Sequence, residues 1–151
     1  MPINIGLDTS FIIGLLDEKD LWHAPARDLQ TAFRIGDFRL IVFDCVLSEV
    51  ISTLARRTRE KRREAELKTL LERIQSQFPT KSVTWLYPDL PHLYDDVIQL
   101  VQRSAGELNF NDALIALSCP TRGIPYLASF DADFDQVNWL KRVARAGDLP
   151  T

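Results

Sequence analysis

Short apolar runs alternate along the chain with longer amphipathic stretches, and most of these runs end at a polar cluster. Ile3–Leu7 has the length and β-branched content of a buried strand, and an apolar helix is predicted just after it. The other predicted strands cover 39–43, 82–86 and 124–128. The other predicted helices cover 23–35, 46 to about 57, a second helix in the following basic stretch to about 77, 90–103 and 111–122. Strands that alternate with helices predict a parallel sheet with right-handed crossovers.

The predicted fold class is therefore α/β, with one three-layer domain over residues 1–151. A central parallel sheet of four or five strands is expected to carry helices on both faces, with a helical arm at about 46–77. Pro120 should kink the helix that begins at 111 or end it early, because proline lacks the backbone donor that a helix interior needs. The mixed segment 134–146 is expected to end in a short helix or strand.

Composition narrows the class of protein without changing this fold. Apolar residues make up 46% of the chain and charged residues 26%, which is close to an average globular protein. Cys45 and Cys119 lie in apolar runs without CxxC spacing, which predicts reduced, buried thiols. No apolar stretch approaches the roughly 18 residues that span a membrane, and the first residues lack the basic start of a secretory signal. We therefore expect a cytoplasmic protein.

The net charge of −3 disfavours a nucleic-acid partner until its distribution is considered. Segment 56–73 contains eight basic and four acidic residues, so the rest of the chain is more acidic than the total suggests. Three interpretations of this basic segment remain open: a solvated helix face, a grip on the RNA backbone, or a surface for an acidic protein partner. An acidic site beside a basic surface is compatible with a grip on the RNA backbone.

Four acidic residues stand close to the predicted ends of strands. Asp8 follows the first strand and Asp131 the fourth, Asp112 begins the helix before that fourth strand, and Glu49 lies one turn into the helix after the second. Functional sites of open parallel sheets collect beyond the carboxyl ends of the strands, so we expect these four carboxylates to converge. Each alone has a simpler interpretation, as a helix cap, a solvated helix residue or an acidic turn.

Converging carboxylates raise one another's pKa or require a counter-ion. A site made only of carboxylates suits the hard cations Mg²⁺ and Mn²⁺ rather than Zn²⁺. Such ions activate water and stabilise an in-line phosphoryl displacement. No Ser/His or Cys/His pair is apparent, so no covalent intermediate is expected.

Four segments carry these acids in chain order: 7–16, 47–50, 111–116 and 123–134. They resemble the motif blocks of PIN domains, and most of all those of VapC-type toxin ribonucleases from toxin–antitoxin pairs. The resemblance extends from residue 3 to about 135. It implies a PIN-like nuclease domain that hydrolyses RNA phosphodiester bonds with Mg²⁺ or Mn²⁺, an antitoxin protein as partner, and a homodimer.

The resemblance also implies roles for individual residues. Asp8, Asp112 and Asp131 would bind the metal directly, and Glu49 would bind it directly or through the attacking water. Ser129 would support Asp131. Thr9 or Ser10 would form a hydrogen bond with Asp8 or with a phosphate. Asp133 and Asp135 would be reserve ligands for the metal.

Two other functions remain open at this point, a catalytically silent PIN-like module that binds RNA or protein and a DNA-directed nuclease. The presence of all four acids disfavours the silent module, and no sequence feature separates RNA from DNA. His23 is expected to be structural. The tryptophans Trp22, Trp85 and Trp139 are expected to be core or interface anchors rather than base-stacking platforms.

Overall fold

The computed structural model describes all 151 residues and contains one five-stranded parallel sheet. Its strands are β1 (Ile3–Leu7), β2 (Phe38–Phe43), β3 (Val83–Thr84), β4 (Tyr126–Ala128) and β5 (Lys141–Val143). They are arranged in the order β3-β2-β1-β4-β5, and every neighbouring pair is parallel. The predicted α/β class and the parallel sheet are thus confirmed, and the mixed C-terminal segment supplies the fifth strand.

Six α-helices connect the strands. They are α1 (Thr9–Leu16), α2 (His23–Ile35), α3 (Asp44–Glu60), α4 (Glu64–Gln77), α5 (Leu90–Arg103) and α6 (Phe110–Ser118). The helical arm predicted at 46–77 corresponds to α3 and α4, which separate at Arg62, where the backbone adopts a left-handed φ of 53°. Helix α6 ends at Ser118 rather than at 122, and Pro120 begins a short 3-10 turn, in agreement with the effect expected of this proline. No helix is long and apolar enough to cross a membrane.

Two predicted strands are shorter in the structure than expected. The third pairs only at Val83–Thr84, because the Asp44 carboxylate accepts hydrogen bonds from the backbone N–H groups of Leu86 and Tyr87 and draws the chain away from the sheet. The fourth begins at Tyr126 instead of 124, since the preceding Pro125 has no N–H to donate to a neighbouring strand.

The strand order defines where a site can form. From β1 the chain moves to β2 and β3 in one direction, and then crosses to β4 and β5 on the other side of β1. Right-handed crossovers place α1 to α4 on one face of the sheet and α5 and α6 on the other. The direction reverses between β1 and β4, and the crevice beyond the carboxyl ends of these two strands is the usual place for a ligand.

Helix α1 forms the centre of the core directly behind this crevice. Its residues Phe11, Ile12, Ile13 and Leu16 are all buried, within a cluster of 32 buried apolar residues that also includes Phe134. A helix buried on most sides cannot shift without opening the core, so its N-terminus is a rigid support for side chains at the crevice.

Candidate active site

Asp8 lies at the carboxyl end of β1, at the reversal point of the sheet. Its backbone N–H donates to the carbonyl of Ala128 at the end of β4 (3.0 Å), and its side chain is buried. Asp8 occupies the N-cap position of α1 but makes no capping hydrogen bond. Its Oδ2 instead accepts hydrogen bonds from the hydroxyls of Ser129 (2.6 Å) and Ser10 (3.2 Å). The side chain is therefore oriented for the crevice rather than for the helix.

Two serine hydroxyls tie the loop after β4 to Asp8. The Ser129 Oγ, which is fully buried, also accepts a hydrogen bond from the backbone N–H of Asp131 (3.0 Å). The Ser10 Oγ accepts from the N–H of Phe130 (2.9 Å). The structure thus places the Ser129 hydroxyl beside Asp131, and the Ser10 hydroxyl rather than that of Thr9 on the Asp8 carboxylate.

Asp112 reaches the same crevice from the first turn of α6. One carboxylate oxygen accepts from the backbone N–H of Asn109 (3.0 Å), and the Asn109 side chain accepts from the N–H of Asp112 (2.8 Å). This reciprocal pair is a capping box, which stabilises the helix start and fixes the aspartate. Asp112 therefore does serve as a cap, with one oxygen, while the other oxygen has no donor in the protein.

Glu49 is fixed on α3 by two residues from distant parts of the chain. Its Oε1 accepts from the Asn111 Nδ2 (2.7 Å) and its Oε2 from the Thr9 hydroxyl (3.1 Å). Sequence reasoning missed Asn111, and it expected the Thr9 hydroxyl at Asp8 or a phosphate. The one signal for Asn111 was its position directly before Asp112 in the same motif block.

The acidic turn after β4 separates into three different environments. The Asp131 Oδ1 accepts from the backbone N–H of Asp133 (2.9 Å), and Asp133 is exposed, with a pKa raised chiefly by the charge of Asp131. Asp135 forms a two-pronged ion pair with Arg142 (2.8 and 3.0 Å), and these hydrogen bonds hold its pKa below the ordinary value. Asp135 is thereby engaged in an ion pair, whereas Asp133 forms none. The guanidinium of Arg142, which the sequence did not single out, also donates to the carbonyl of Ser129 (3.3 Å).

The electrostatics of the crevice are unfavourable for the bare protein. Burial raises the pKa of Asp8 to about 6, with a smaller contribution from the charge of Asp131. Burial likewise raises the pKa of Asp112 to about 7, and the charges of Asp8, Asp131 and Glu49 add to the shift. The ion pairs of the molecule involve other acids. None of the four carboxylates therefore forms an ion pair, although the charge of Asp131 acts on the nearby Arg142.

This donor set fits a hard divalent cation by its chemistry. All four groups are carboxylates, and the buried pair at Asp8 and Asp112 gains most from a positive charge. No three His, Cys, Asp or Glu side chains are grouped closely enough to hold a metal ion among themselves. Mg²⁺ does not require such a cage, because it usually keeps several waters and takes only one or two carboxylates plus substrate phosphates.

The basic segment 56–73 is partly structural. Arg57 and Arg63 form ion pairs with Asp17 at the end of α1 (3.5 and 3.0 Å), and Arg57 also pairs with Asp20 (2.6 Å). The exposed cations without an ion pair are Arg56, Arg59, Lys61 and Arg62.

His23 is structural, as expected, since its Nδ1 is hydrogen-bonded to the carbonyl of Gly14 (2.8 Å). Both cysteines are buried and free.

A parallel sheet with buried carboxylates at its reversal point defines an α/β domain with an acidic crevice site. The PIN domain model matches residues 5–140, and the chain belongs to the PIN domain family. Among solved structures, the chain is similar to VapC20 of Mycobacterium tuberculosis, described as a sarcin-ricin loop cleaving toxin. The TM-score is 0.69 at 23% identity, over 89% of this chain and 95% of that one. No curated protein matches the chain.

Proposed function

We propose that this protein is a metal-dependent endoribonuclease that serves as the toxin of a type II toxin–antitoxin pair. The observation that carries the proposal is the buried pair Asp8 and Asp112, whose raised pKa values and missing counter-charge are costs that a bound cation removes. Membership of the PIN domain family supports the same chemistry. The similarity to VapC20 supports the fold on which the proposed activity would depend.

Each residue of the crevice has a role in this proposal. One or two of Asp8, Asp112 and Asp131 would bind Mg²⁺ or Mn²⁺ directly and the rest through water, and the ion would supply an activated water and neutralise charge on the phosphate. Ser129 fixes the relative position of Asp8 and Asp131 by bonding to both. Arg142 stabilises the Asp131 loop from the other side.

Glu49 is assigned to orient the attacking water. Both of its oxygens already accept a hydrogen bond, from Asn111 and Thr9, but each carboxylate oxygen keeps a second lone pair. A water that donates to such an oxygen is held in a fixed direction, and the Glu49 carboxylate would accept its proton as the new phosphorus–oxygen bond forms. The bond from phosphorus to the leaving ribose oxygen breaks in the same displacement, and that oxygen takes a proton from water. Asn111 and Thr9 act as positioning residues, because they set the direction of this carboxylate.

The proposal extends to substrate and partners. VapC20 is described as a sarcin-ricin loop cleaving toxin, and we propose an RNA substrate for this chain. An antitoxin protein and a homodimer complete the toxin assignment. We place the protein in the cytoplasm, where RNA is found and where its two free cysteines stay reduced.

A cleavage assay tests the proposal. Hairpin RNA is incubated with the protein in Mn²⁺, Mg²⁺ or EDTA, and single-stranded DNA of the same sequence is run in parallel. We expect RNA cleavage in either metal, none in EDTA, and none with Asp8→Asn. The matched control is Asp95→Asn, an exposed carboxylate on α5, which should cleave like the unaltered chain.

Three outcomes would contradict the assignment. Cleavage by a folded Asp8→Asn protein would remove this carboxylate from the chemistry. Cleavage of DNA but not RNA would make the protein a DNA-directed nuclease. No cleavage at all, together with no Mn²⁺ stabilisation that depends on Asp131, would indicate a silent binding module.

A further inference from the structure

An aromatic stack extends from the core to the surface beside the crevice. The ring of Phe33 contacts that of Phe11 edge-on (5.7 Å between centroids), and Phe11 contacts Phe130 at 6.4 Å. Phe130 is stacked on Trp22 with 4.9 Å between centroids and only 8° between the ring planes. The outermost ring, Trp22, is 40% exposed, whereas Phe11 at the inner end is buried. The stack therefore ends in an indole that is open to the outside.

The Phe130 ring belongs to the loop that carries the site. Phe130 stands between Ser129 and Asp131 in the chain, and its backbone N–H donates to the Ser10 hydroxyl, which itself donates to Asp8. The position of Phe130 is thus linked to the Asp8 carboxylate by two hydrogen bonds.

The ring of Trp22 is held by its stacking on Phe130, and its backbone is fixed by further contacts. Its backbone N–H donates to the Asp20 carboxylate (2.9 Å), which Arg57 holds in an ion pair. Its carbonyl approaches Gly14 so closely that a Cβ on Gly14 would lie 3.1 Å from the oxygen. A rigid aromatic surface costs little conformational entropy when a ligand binds to it.

These observations distinguish Trp22 from the other tryptophans. Trp139 donates its indole N–H to the carbonyl of Ala116 (2.7 Å), as an anchor does. Trp85 lines a separate apolar groove with Leu47 and Ile51. Among the three tryptophans, only Trp22 is stacked on a ring of the loop that carries Asp131.

We propose that Trp22, supported by Phe130, is a stacking platform for an unpaired nucleobase next to the phosphate that occupies the crevice. This inference rests on the proposed nuclease function and adds a residue that would contact the substrate, at an RNA segment whose bases are free to stack. Single-stranded nucleic acids are bound in this way, because every base has a π-face that an aromatic side chain can contact. The sequence predicts an anchor role for Trp22, and the present proposal assigns it a stacking role instead.

The test compares RNA with and without bases. A fluorescein-labelled 10-nucleotide single-stranded RNA and the same chain with abasic residues are titrated with protein, in Ca²⁺ to limit cleavage, and followed by anisotropy. Trp22→Ala is expected to weaken binding of the normal RNA about 5- to 100-fold and to leave binding of the abasic chain unchanged. Trp22→Phe, which keeps a ring, should restore most of the affinity.

Trp85→Ala is the matched control, since it removes an indole of similar exposure outside the stack, and it should bind both RNAs like the unaltered protein. Melting curves of all variants show whether they are folded. The stacking role would be overturned if Trp22→Ala weakened the binding of both RNAs equally, or of neither RNA. If neither RNA were affected, Trp22 would remain as a surface for a protein partner. If base-dependent binding is found but the unaltered protein cleaves no RNA in Mn²⁺, the nuclease proposal fails and the stacking proposal stands.

Discussion

Replacing Asp112 by asparagine should make the metal-free protein more stable while it abolishes cleavage. The substitution removes one negative charge from a crevice where three other carboxylates oppose it. Asparagine keeps a side-chain oxygen that can accept from the Asn109 N–H, so the capping box at the start of α6 is preserved. The change therefore removes charge and retains the local structure.

The magnitude follows from the pKa of Asp112. Its rise from 3.8 to about 7 corresponds to about 4 kcal/mol at most, at roughly 1.4 kcal/mol for each unit. Solvent reaches the open side of the crevice and screens part of this energy, so we expect a gain of about 2 kcal/mol in the free energy of unfolding. For a chain of this length, that corresponds to a rise of about 4–8 °C in Tm.

The pH dependence identifies the cause. Because the folded pKa lies above the unfolded one, ionising Asp112 costs stability: the cost is absent below about pH 4, grows between pH 4 and 7, and is complete above pH 7. Urea unfolding in EDTA should show the full difference between Asp112→Asn and the unaltered protein at pH 8, and roughly a third of it at pH 5. Adding Mn²⁺ at pH 8 should stabilise the unaltered protein more than the variant.

A variant that is less stable than the unaltered protein at pH 8, or a difference that does not shrink at pH 5, would refute this reasoning. Asp95→Asn, which neutralises an exposed carboxylate outside the crevice, is the control and should change stability little at either pH.

Three further predictions follow from the same contacts. Metal binding must displace protons from the two buried aspartates, so the apparent Mn²⁺ affinity should rise between pH 5.5 and 7.5, as measured by calorimetric titration. Asn111→Ala frees one oxygen of Glu49 and should lower kcat about 10-fold or more, with little change in Tm, in a single-turnover cleavage assay; an unchanged kcat would contradict the positioning role. Arg63→Ala leaves the buried Asp17 with a weaker counter-charge and should cost about 2–4 kcal/mol in urea unfolding without affecting cleavage by the folded protein.

The sequence predicts the site where backbone topology alone decides its position. Asp8 and Asp131 are brought together because each follows a parallel strand, and the carboxyl ends of neighbouring parallel strands lie at one edge of the sheet. Asp44 follows a strand in the same way, yet its carboxylate accepts hydrogen bonds from Cys45, Leu86 and Tyr87 and serves as a structural clamp. The local sequence pattern does not distinguish an aspartate of the site from a structural one, because the difference depends on which backbone N–H groups lie opposite its carboxylate.

The features that were missed are contacts between side chains from distant segments. Asn111 and Glu49 are 62 positions apart, and their hydrogen bond requires the start of α6 to face α3. The ion pair of Arg142 with Asp135 depends on the return of β5 beside β4. The sequence did predict two helices in this arm, but their boundary lies at Arg62, a few residues beyond the predicted end at about 57. Such features follow from tertiary packing and have no periodic signal.

The cation site at Asp8, Asp112 and Asp131 is the central proposal, with one or two of these carboxylates binding the ion directly and the others binding through its waters. Anomalous diffraction from crystals grown with Mn²⁺ tests it most directly, because the ion is located without reference to activity. We predict a manganese peak at direct coordination distance from a carboxylate oxygen of one or two of these three residues, with the rest close enough to bind the ion through water. An empty crevice at a Mn²⁺ concentration that supports RNA cleavage, or manganese bound only elsewhere on the chain, would contradict it.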